Sequence, residues 1–249
     1  MVNLIDTLRE ENPALARRID SCLVQSPHFF ESDIVTVALP LRYLAGVAEC
    51  LPVGCLPPAI HDASAERKMN FIGGRLCAES ALQRLGFEHG VVSRQSCGAP
   101  LWPVGTIGSI THTGQFASAA VTLTGKAASL GIDSERIFSD HELHDVRNLC
   151  CTKNEIHRLL NDSNRNLIGT IIFSAKEAIY KSIHPLLHRF VDFTEIEITS
   201  INWRLSTLGV SPAGDGDVSQ VLQKCHAYFS IENQLVHTSV QMNGEADVD

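Results

Sequence analysis

Apolar positions recur at helical spacing in several parts of this chain, and these parts are predicted to be helices. Leu4 to Ile19 predicts an amphipathic helix. Ser64 to Leu85 predicts a longer helix that ends at Gly86, a residue typical of the position after a helix. His141 to Leu160 predicts a polar helical region, and Ser174 to Ile183 predicts a helix that ends before Pro185.

Shorter apolar or alternating runs predict strands. Two pairs of runs flank short turns, around Thr124 to Lys126 and around Glu232 and Asn233, and each pair predicts a hairpin. The predicted strands are Asp33 to Leu39, Phe116 to Leu123, Ala127 to Asp133, Phe193 to Ile201, Cys225 to Ile231 and Leu235 to Val240.

The mixture of helices and hairpins predicts an α+β fold with two halves joined near Gly125. We expect an N-terminal lobe over residues 1–125, a C-terminal lobe over 126–242 and a loose acidic tail over 243–249. A chain of 249 residues accommodates one large domain or two small lobes.

Composition excludes several classes of protein. Hydrophobic residues make up 44% and charged residues 19%, which is a globular balance. A net charge of −8 with 20 scattered Lys and Arg argues against a nucleic-acid partner. No run approaches the roughly 20 apolar residues of a membrane span. Eight cysteines without a CxxC pair or a secretory leader lead us to expect reduced thiols in the cytoplasm.

Two acidic residues end the strand around Gly131. Asp133 and Glu135 are two apart, so they share one face of that strand. Neighbouring carboxylates repel each other, and a divalent cation such as Mg²⁺ is a common reason to place them together. The alternative is a solvated strand end with two surface acids.

Three other segments carry candidate chemistry. The glycine-bounded run Gly108 to Gly114, with Thr111 and His112, predicts a polar loop that offers donors to phosphate, although a lone loop histidine is often structural. Arg67 and Arg75 lie about 80° apart on the helical wheel at about 100° per residue and can face one cleft. Ordinary solvated helix charge is the alternative.

The fourth segment runs from Phe173 to Lys181. Glu177 and Lys181 are four apart on one helical face. Ser174 and Glu177 also fit a capping box at a helix start, and on local grounds that structural interpretation is favoured.

In their order along the chain, these motifs resemble those of the 4'-phosphopantetheinyl transferases of the surfactin- and enterobactin-synthase type. The resemblance covers roughly the middle half of the chain. The residues that carry it are Arg67 to Arg75 with Ala78, Gly98 to Pro103, Gly108 to His112, Gly131 to Glu135, and Phe173 to Lys181. Thr111-His112-Thr113 stands where many members have Ser-His-Ser, Ser134 where many have an apolar residue, and Phe173 where others have Trp.

The resemblance implies two similar, pseudo-symmetric lobes with antiparallel sheets and packed helices, an active site at the lobe interface, and coenzyme A as co-substrate. Each candidate residue then has an implied role. The implied magnesium ligands are Asp133, Glu135 and Glu177. The implied coenzyme A contacts are Arg67, Arg75, Arg94, Thr111, His112, Asp133 and Lys181, and the implied catalytic residues are Glu177, Lys181 and His112.

The resemblance also implies the reaction, which transfers 4'-phosphopantetheine to a serine of an apo peptidyl or acyl carrier protein and releases 3',5'-ADP. Nonribosomal peptide, siderophore (enterobactin-like) or polyketide synthesis is the expected setting, and a monomer is expected. Two alternatives stay open: a Mg²⁺-dependent phosphohydrolase or nucleotidyl transferase, and a non-catalytic module that binds coenzyme A or the carrier. The surface around Phe138 to Leu149, with Phe138 and Leu143, is the expected carrier contact.

Overall fold

The computed structural model describes residues 2–30, 33–160 and 163–244. The helices are α1 (Leu4–Glu11), α2 (Pro13–Asp20), α3 (Val47–Cys50), α4 (Pro58–His61), α5 (Ala65–Arg84), α6 (Asp140–Cys150), α7 (Lys153–Arg158), α8 (Arg165–Leu187) and α9 (Asp217–Leu222), with 3₁₀ turns at Leu41–Leu44 and Phe193–Glu195. The strands are β1 (Val35–Pro40), β2 (Ser93–Arg94), β3 (Pro100–Leu101), β4 (Thr106–His112), β5 (Phe116–Leu123), β6 (Ser129–Arg136), β7 (Ile196–Asn202), β8 (Thr207–Pro212), β9 (Cys225–Glu232) and β10 (Leu235–Met242).

The chain forms two compact units. Unit 1 comprises Met1–Ser26 and Ile34–Leu123, and unit 2 comprises Pro27–Asp33 and Thr124–Asp249. The α+β class predicted from the sequence is confirmed. The lobe bounds 1–125 and 126–242 stay a prediction, and most of the expected acidic tail, residues 245–249, lies outside the described residues.

In unit 1, helix α5 packs against an antiparallel sheet with the order β1-β5-β4. Ser64 caps the start of α5 by accepting a hydrogen bond from the Arg67 backbone N–H, and Leu85 closes its end. The buried face of α5 includes Leu76, Ala78 and Leu82, which have no exposed surface. Arg75 lies within this buried stretch of α5, whereas Arg67 lies nearer the start of the helix and is exposed.

In unit 2, helix α8 packs against β6 and β10 of an antiparallel sheet with the order β6-β10-β9-β8-β7. Strand β6 and helix α8 approach each other closely at Gly131, because a Cβ added there would lie 1.8 Å from the carbonyl oxygen of Ala178. Only a residue without a side chain fits between this strand and this helix. The approach aligns the end of β6 with the face of α8 that carries Glu177 and Lys181.

Several predicted elements are wrong in detail. The predicted helix Leu4 to Ile19 is two helices, because Asn12 accepts a hydrogen bond from the Leu15 backbone N–H and Pro13 begins a new helix. The predicted hairpin around Gly125 does not form. Strand β5 pairs with β1 and β4, whereas β6 pairs with β10.

The capping box predicted at Ser174 is also wrong. Helix α8 begins nine residues earlier, at Arg165, so Ser174 lies in its interior and its hydroxyl is 2.8 Å from that of Thr238. The helix continues past Pro185 and ends with His188 in the left-handed region at φ 52°. By contrast, the β9–β10 hairpin around Asn233 is confirmed. No described helix combines the length and the apolar character needed to span a membrane.

Candidate functional site

Unit 1 contains a pocket of about 190 Å³ that brings together several of the basic residues singled out from the sequence. Arg67 and Arg75 reach it from α5, Arg94 from β2 and His112 from the end of β4. Its full lining is Ile60, Arg67, Asn70, Phe71, Gly74, Arg75, Arg94, Gly98, Pro100, Ile110 and His112. Three arginines and one histidine, from three separate segments, therefore converge on one cavity.

One face of α5 forms a wall of this pocket. Arg67, Asn70, Phe71, Gly74 and Arg75 are spaced by three and four residues, which puts them on one side of a helix. The spacing of the two arginines predicted this face. The same spacing identifies Asn70 and Phe71, whose roles the sequence analysis missed.

Arg75 is held in place by its surroundings. Its side chain is buried, its Nη2 donates a 3.0 Å hydrogen bond to the carbonyl oxygen of Ser93, and its guanidinium lies over the ring of Phe71 at 5.0 Å. Burial lowers the pKa of Arg75 to about 10, with Arg94 acting in the same direction and Glu79 opposing both. Arg75 therefore stays charged at neutral pH and is costly to bury without a counter-ion.

Strand β4 separates the two residues predicted together on a loop. The segment is a strand rather than a loop, so successive side chains point to opposite faces. His112 is exposed and lines the pocket with Ile110, whereas Thr111 is buried and does not line it. The structure does not bring Thr111 to the pocket.

Unit 2 holds the acidic residues. Lys181 Nζ donates a 2.6 Å hydrogen bond to Asp133 Oδ1 and a 3.1 Å bond to the carbonyl oxygen of Ile132. The Asp133 side chain is 6% exposed and that of Lys181 is 29% exposed, so this ion pair lies at the edge of the protein interior. The strand–helix approach at Gly131 brings the two residues together.

Glu135 and Glu177 share the electrostatic field of this ion pair. Burial, together with the charges of Asp133 and Glu177, raises the pKa of Glu135 to about 7, and the charge of Lys181 opposes this shift. Burial also raises the pKa of Glu177, with Asp133 adding to the shift and Lys181 opposing it. The acids therefore act on one another, and one lysine only partly compensates their charge.

The chemistry of these acids suits a divalent cation, but their side chains are not positioned to bind one together in this structure. Carboxylate oxygens that raise one another's pKa are suitable ligands for a hard cation. Within residues 2–30, 33–160 and 163–244, however, no three His, Cys, Asp or Glu side chains are close enough together to hold one metal ion. Lys181 instead neutralises part of the charge on Asp133.

A buried polar cluster lies on the other face of β6. His28 Nε2 is 2.9 Å from the carbonyl oxygen of Asp133 and 3.1 Å from Ser134 Oγ, and Ser134 Oγ is 2.9 Å from His237 Nδ1. Burial lowers the pKa of His28 to about 3 and that of His237 to about 4, so both rings are neutral. No sequence pattern indicates this cluster, because His28 and Ser134 are 106 positions apart and come together only in the folded protein.

The surface expected to contact a carrier protein needs correction. Leu143 is buried in the core of unit 2, and a Cβ on Gly169 would lie 2.2 Å from its Cδ1. Phe138 packs edge-to-face against Phe173 with 5.5 Å between ring centroids. On α6, the helix that contains Leu143, Leu149 is 73% exposed.

Two curated relatives share about a third of their aligned residues with this chain. It is 35% identical over 162 residues to the 4'-phosphopantetheinyl transferase Svp of Streptomyces mobaraensis, covering 59% of this chain and 62% of the relative. It is 30% identical over 158 residues to enterobactin synthase component D of Salmonella typhi, covering 62% of this chain and 64% of the relative. The chain thus spans less than two thirds of the length of these relatives.

Among solved structures, the holo-[acyl-carrier-protein] synthase of Thermotoga maritima superposes on 47% of this chain and 63% of its own. The TM-score is 0.38 and the sequence identity is 17%. At that level the superposition contributes nothing to the assignment.

Family models match both parts of the chain. Residues 57–122 match the 4'-phosphopantetheinyl transferase N-terminal domain, and residues 129–236 match the 4'-phosphopantetheinyl transferase superfamily. The first match contains the basic pocket, and the second contains Asp133, Glu135, Glu177 and Lys181. In all, 174 of 249 residues are matched, and the chain belongs to the 4'-phosphopantetheinyl transferase superfamily.

Proposed function

We propose that this protein transfers 4'-phosphopantetheine from coenzyme A to a serine of an apo carrier protein and releases 3',5'-ADP. The observation that carries the proposal is the convergence of Arg67, Arg75, Arg94 and His112 on one pocket. A cationic pocket in a protein with a net charge of −8 calls for an anionic ligand at that place. Family membership favours the nucleotide end of coenzyme A as that ligand.

The basic residues would bind by charge and geometry. Arginine presents paired N–H donors that match phosphate oxygens, so Arg67 and Arg94, which are exposed, would hold the 3'-phosphate. Arg75 is already fixed by Ser93 and Phe71 and would act with little loss of side-chain freedom. His112 would donate to a phosphate oxygen of the same nucleotide. Thr111, buried on the opposite face of β4, supports no such role.

The acids of unit 2 would carry out the chemistry. The carrier serine oxygen attacks the phosphorus that bears pantetheine, a new P–O bond forms, and the bond from that phosphorus to the oxygen of 3',5'-ADP breaks. Glu177 accepts the serine proton, directly or through a water molecule. Lys181 stabilises the negative charge that develops on the departing nucleotide.

We further propose that Asp133, Glu135 and Glu177 bind Mg²⁺. When bound, Mg²⁺ would neutralise charge on the pyrophosphate. Lys181 is held by Asp133 in the described structure, so an anion at Lys181 must compete with that carboxylate. Calorimetric titration of Mn²⁺ into the protein, without substrate, should give one binding site that is weakened in Glu135→Gln and unchanged in Glu232→Gln, an exposed acid of the same unit.

The partner would be a peptidyl or acyl carrier protein of nonribosomal peptide, siderophore or polyketide synthesis. We propose that exposed Leu149 of α6, rather than buried Leu143, contributes to its docking. We also propose that the protein works as a monomer in the cytoplasm, where its eight free thiols would remain reduced. Light scattering of the purified protein tests the oligomeric state.

Release of 3',5'-ADP from coenzyme A tests the function against its alternatives. Transfer requires that 3',5'-ADP appear only when an apo carrier protein is present and in equal amount to modified carrier. Release without a carrier would instead indicate a phosphohydrolase or a nucleotidyl transferase. Tight binding of coenzyme A with no release under any condition would indicate a non-catalytic binding module.

A further inference from the structure

The unit 1 pocket contains an acceptor atom as well as cations. Asn70 lies on the pocket face of α5 between Arg67 and Gly74. Its Oδ1 atom is buried and accepts no hydrogen bond from any residue in the described part of the chain. A buried acceptor without a donor is costly, and such atoms are uncommon outside sites that bind something.

The charge of the pocket limits what can satisfy this atom. Phosphate oxygens are acceptors, so the groups that the arginines attract cannot pair with Asn70 Oδ1. The donor must come from another part of the same ligand. In a 3'-phosphorylated adenosine nucleotide, the only such donors are the exocyclic amine of the base and the ribose 2'-hydroxyl.

The surroundings of Asn70 favour the base. The adjacent residue on the pocket wall is Phe71, and Ile60, Pro100 and Ile110 complete an apolar lining. Gly74 lets Ile110 pack closely against α5, because a Cβ there would lie 2.7 Å from Ile110 Cγ2. An apolar surface suits a heterocyclic base rather than a hydroxylated sugar.

We propose that Asn70 determines specificity for the base of the nucleotide, with Oδ1 accepting a hydrogen bond from the exocyclic amine of adenine. This inference rests on the proposed function, which assigns the pocket to the nucleotide end of coenzyme A. Hypoxanthine carries a carbonyl oxygen where adenine carries the amine, so it would set acceptor against acceptor. The pocket should therefore bind adenine nucleotides and reject inosine nucleotides.

Calorimetry with three nucleotides tests the assignment. The ligands are adenosine 3',5'-bisphosphate, inosine 3',5'-bisphosphate and 2'-deoxyadenosine 3',5'-bisphosphate. For the wild-type protein we expect the adenosine and deoxyadenosine compounds to bind about 10- to 100-fold more tightly than the inosine compound, the range of one hydrogen bond with its partner left unpaired. In Asn70→Leu, which keeps the size of the side chain without its acceptor, adenosine binding should weaken until the preference is lost.

Control variants separate this effect from misfolding. Asn70→Ala places the best helix former at the same position and should lose the same preference. Glu66→Gln, on α5 but outside the pocket lining, should keep it. Thermal unfolding of each variant shows that it is folded.

The outcomes that overturn the inference differ from those that overturn the function. Tight binding of both bases by the wild type, a preference for inosine, or loss of binding confined to the deoxy compound would each overturn the role of Asn70 and leave the pocket as a nucleotide site. Failure of the wild type to bind any of the three nucleotides would overturn both the role of Asn70 and the assignment of the pocket to a nucleotide.

Discussion

Lys176 Nζ donates a 2.7 Å hydrogen bond to Glu155 Oε2, and neither side chain has any exposed surface. Lys176 also donates to the carbonyl oxygens of Cys150 and Phe193. Glu155 in turn accepts from the backbone N–H groups of Thr152 and Ile198. The pair therefore joins α8 to α6, α7 and the start of β7. Lys176 is the residue that directly precedes Glu177.

Replacement of Lys176 by Met should lower the free energy of unfolding by about 3–5 kcal/mol, because Glu155 would keep a buried charge without its partner. Urea unfolding measures this loss. Lys181→Met, on the same helix but 29% exposed, is the matched control and should cost far less stability while impairing transfer. A Lys176→Met protein as stable as the wild type would contradict the role given to the pair.

Gly131→Ala should destabilise unit 2 and disturb the acidic residues. A Cβ at Gly131 would lie 1.8 Å from the Ala178 carbonyl oxygen, so β6 and α8 must separate. We expect a loss of about 3 kcal/mol or more, at the upper end of overpacking effects, together with a large fall in transfer. Gly114→Ala meets no atom within 4 Å and should change the melting temperature little. Equal melting temperatures for the two variants would contradict the close packing.

The pH dependence of stability should carry a contribution from Glu79, a buried acid of α5. Burial raises its pKa to about 8, although the Leu4 and Ile5 backbone N–H groups and Arg75 favour the charged form. A raised folded-state pKa means that the folded protein keeps a proton that the unfolded chain has lost. Stability is therefore present below the unfolded pKa of 4.5 and is lost as the pH rises towards 8.

Glu79→Gln should flatten this dependence, because Gln keeps an acceptor for the two N–H groups and does not titrate. The slope removed is at most about 1.4 kcal/mol per pH unit for one proton. Urea unfolding between about pH 5 and pH 8 measures it, with the exposed Glu88→Gln as control. Parallel curves for wild type and Glu79→Gln would show that Glu79 does not titrate in this window.

Arg67→Gln should weaken binding of adenosine 3',5'-bisphosphate by about 10- to 100-fold, the range for a hydrogen bond to a charged group. Arg67 is exposed in unit 1 and lines the pocket, so its loss should not unfold the protein. Arg17→Gln, an exposed arginine of α2 outside the pocket lining, should bind normally. Equal weakening in both variants would indicate a diffuse charge effect instead of a contact.

Sequence patterns predicted the elements whose signals are local. Helix α5 was predicted nearly to the residue, because its apolar period, Ser64 cap and Gly86 stop all lie within the helix or beside it. The spacing of Arg67 and Arg75 also predicted which face of α5 lines the pocket. Asn70 lies on the same face between them, and the helical spacing of the intervening positions was the signal that could have identified it.

Features set by distant residues could not be predicted in this way. Thr124 to Lys126 has the composition of a hairpin turn, but β6 pairs with β10, about a hundred residues further along the chain. Ser174 and Glu177 have the spacing of a capping box, yet the residues from Arg165 onward are also helical. His28 contacts Ser134 only because the chain folds Pro27–Asp33 into unit 2.

Intact-mass spectrometry of an apo carrier protein incubated with this protein, coenzyme A and Mg²⁺ tests the central claim most directly. We expect the carrier to gain the mass of one phosphopantetheine arm. The gain should be lost in Asp133→Asn and on chelation of the metal, and retained in Glu232→Gln. An unmodified carrier after incubation of the wild type with both peptidyl and acyl carrier proteins would contradict the proposed transfer.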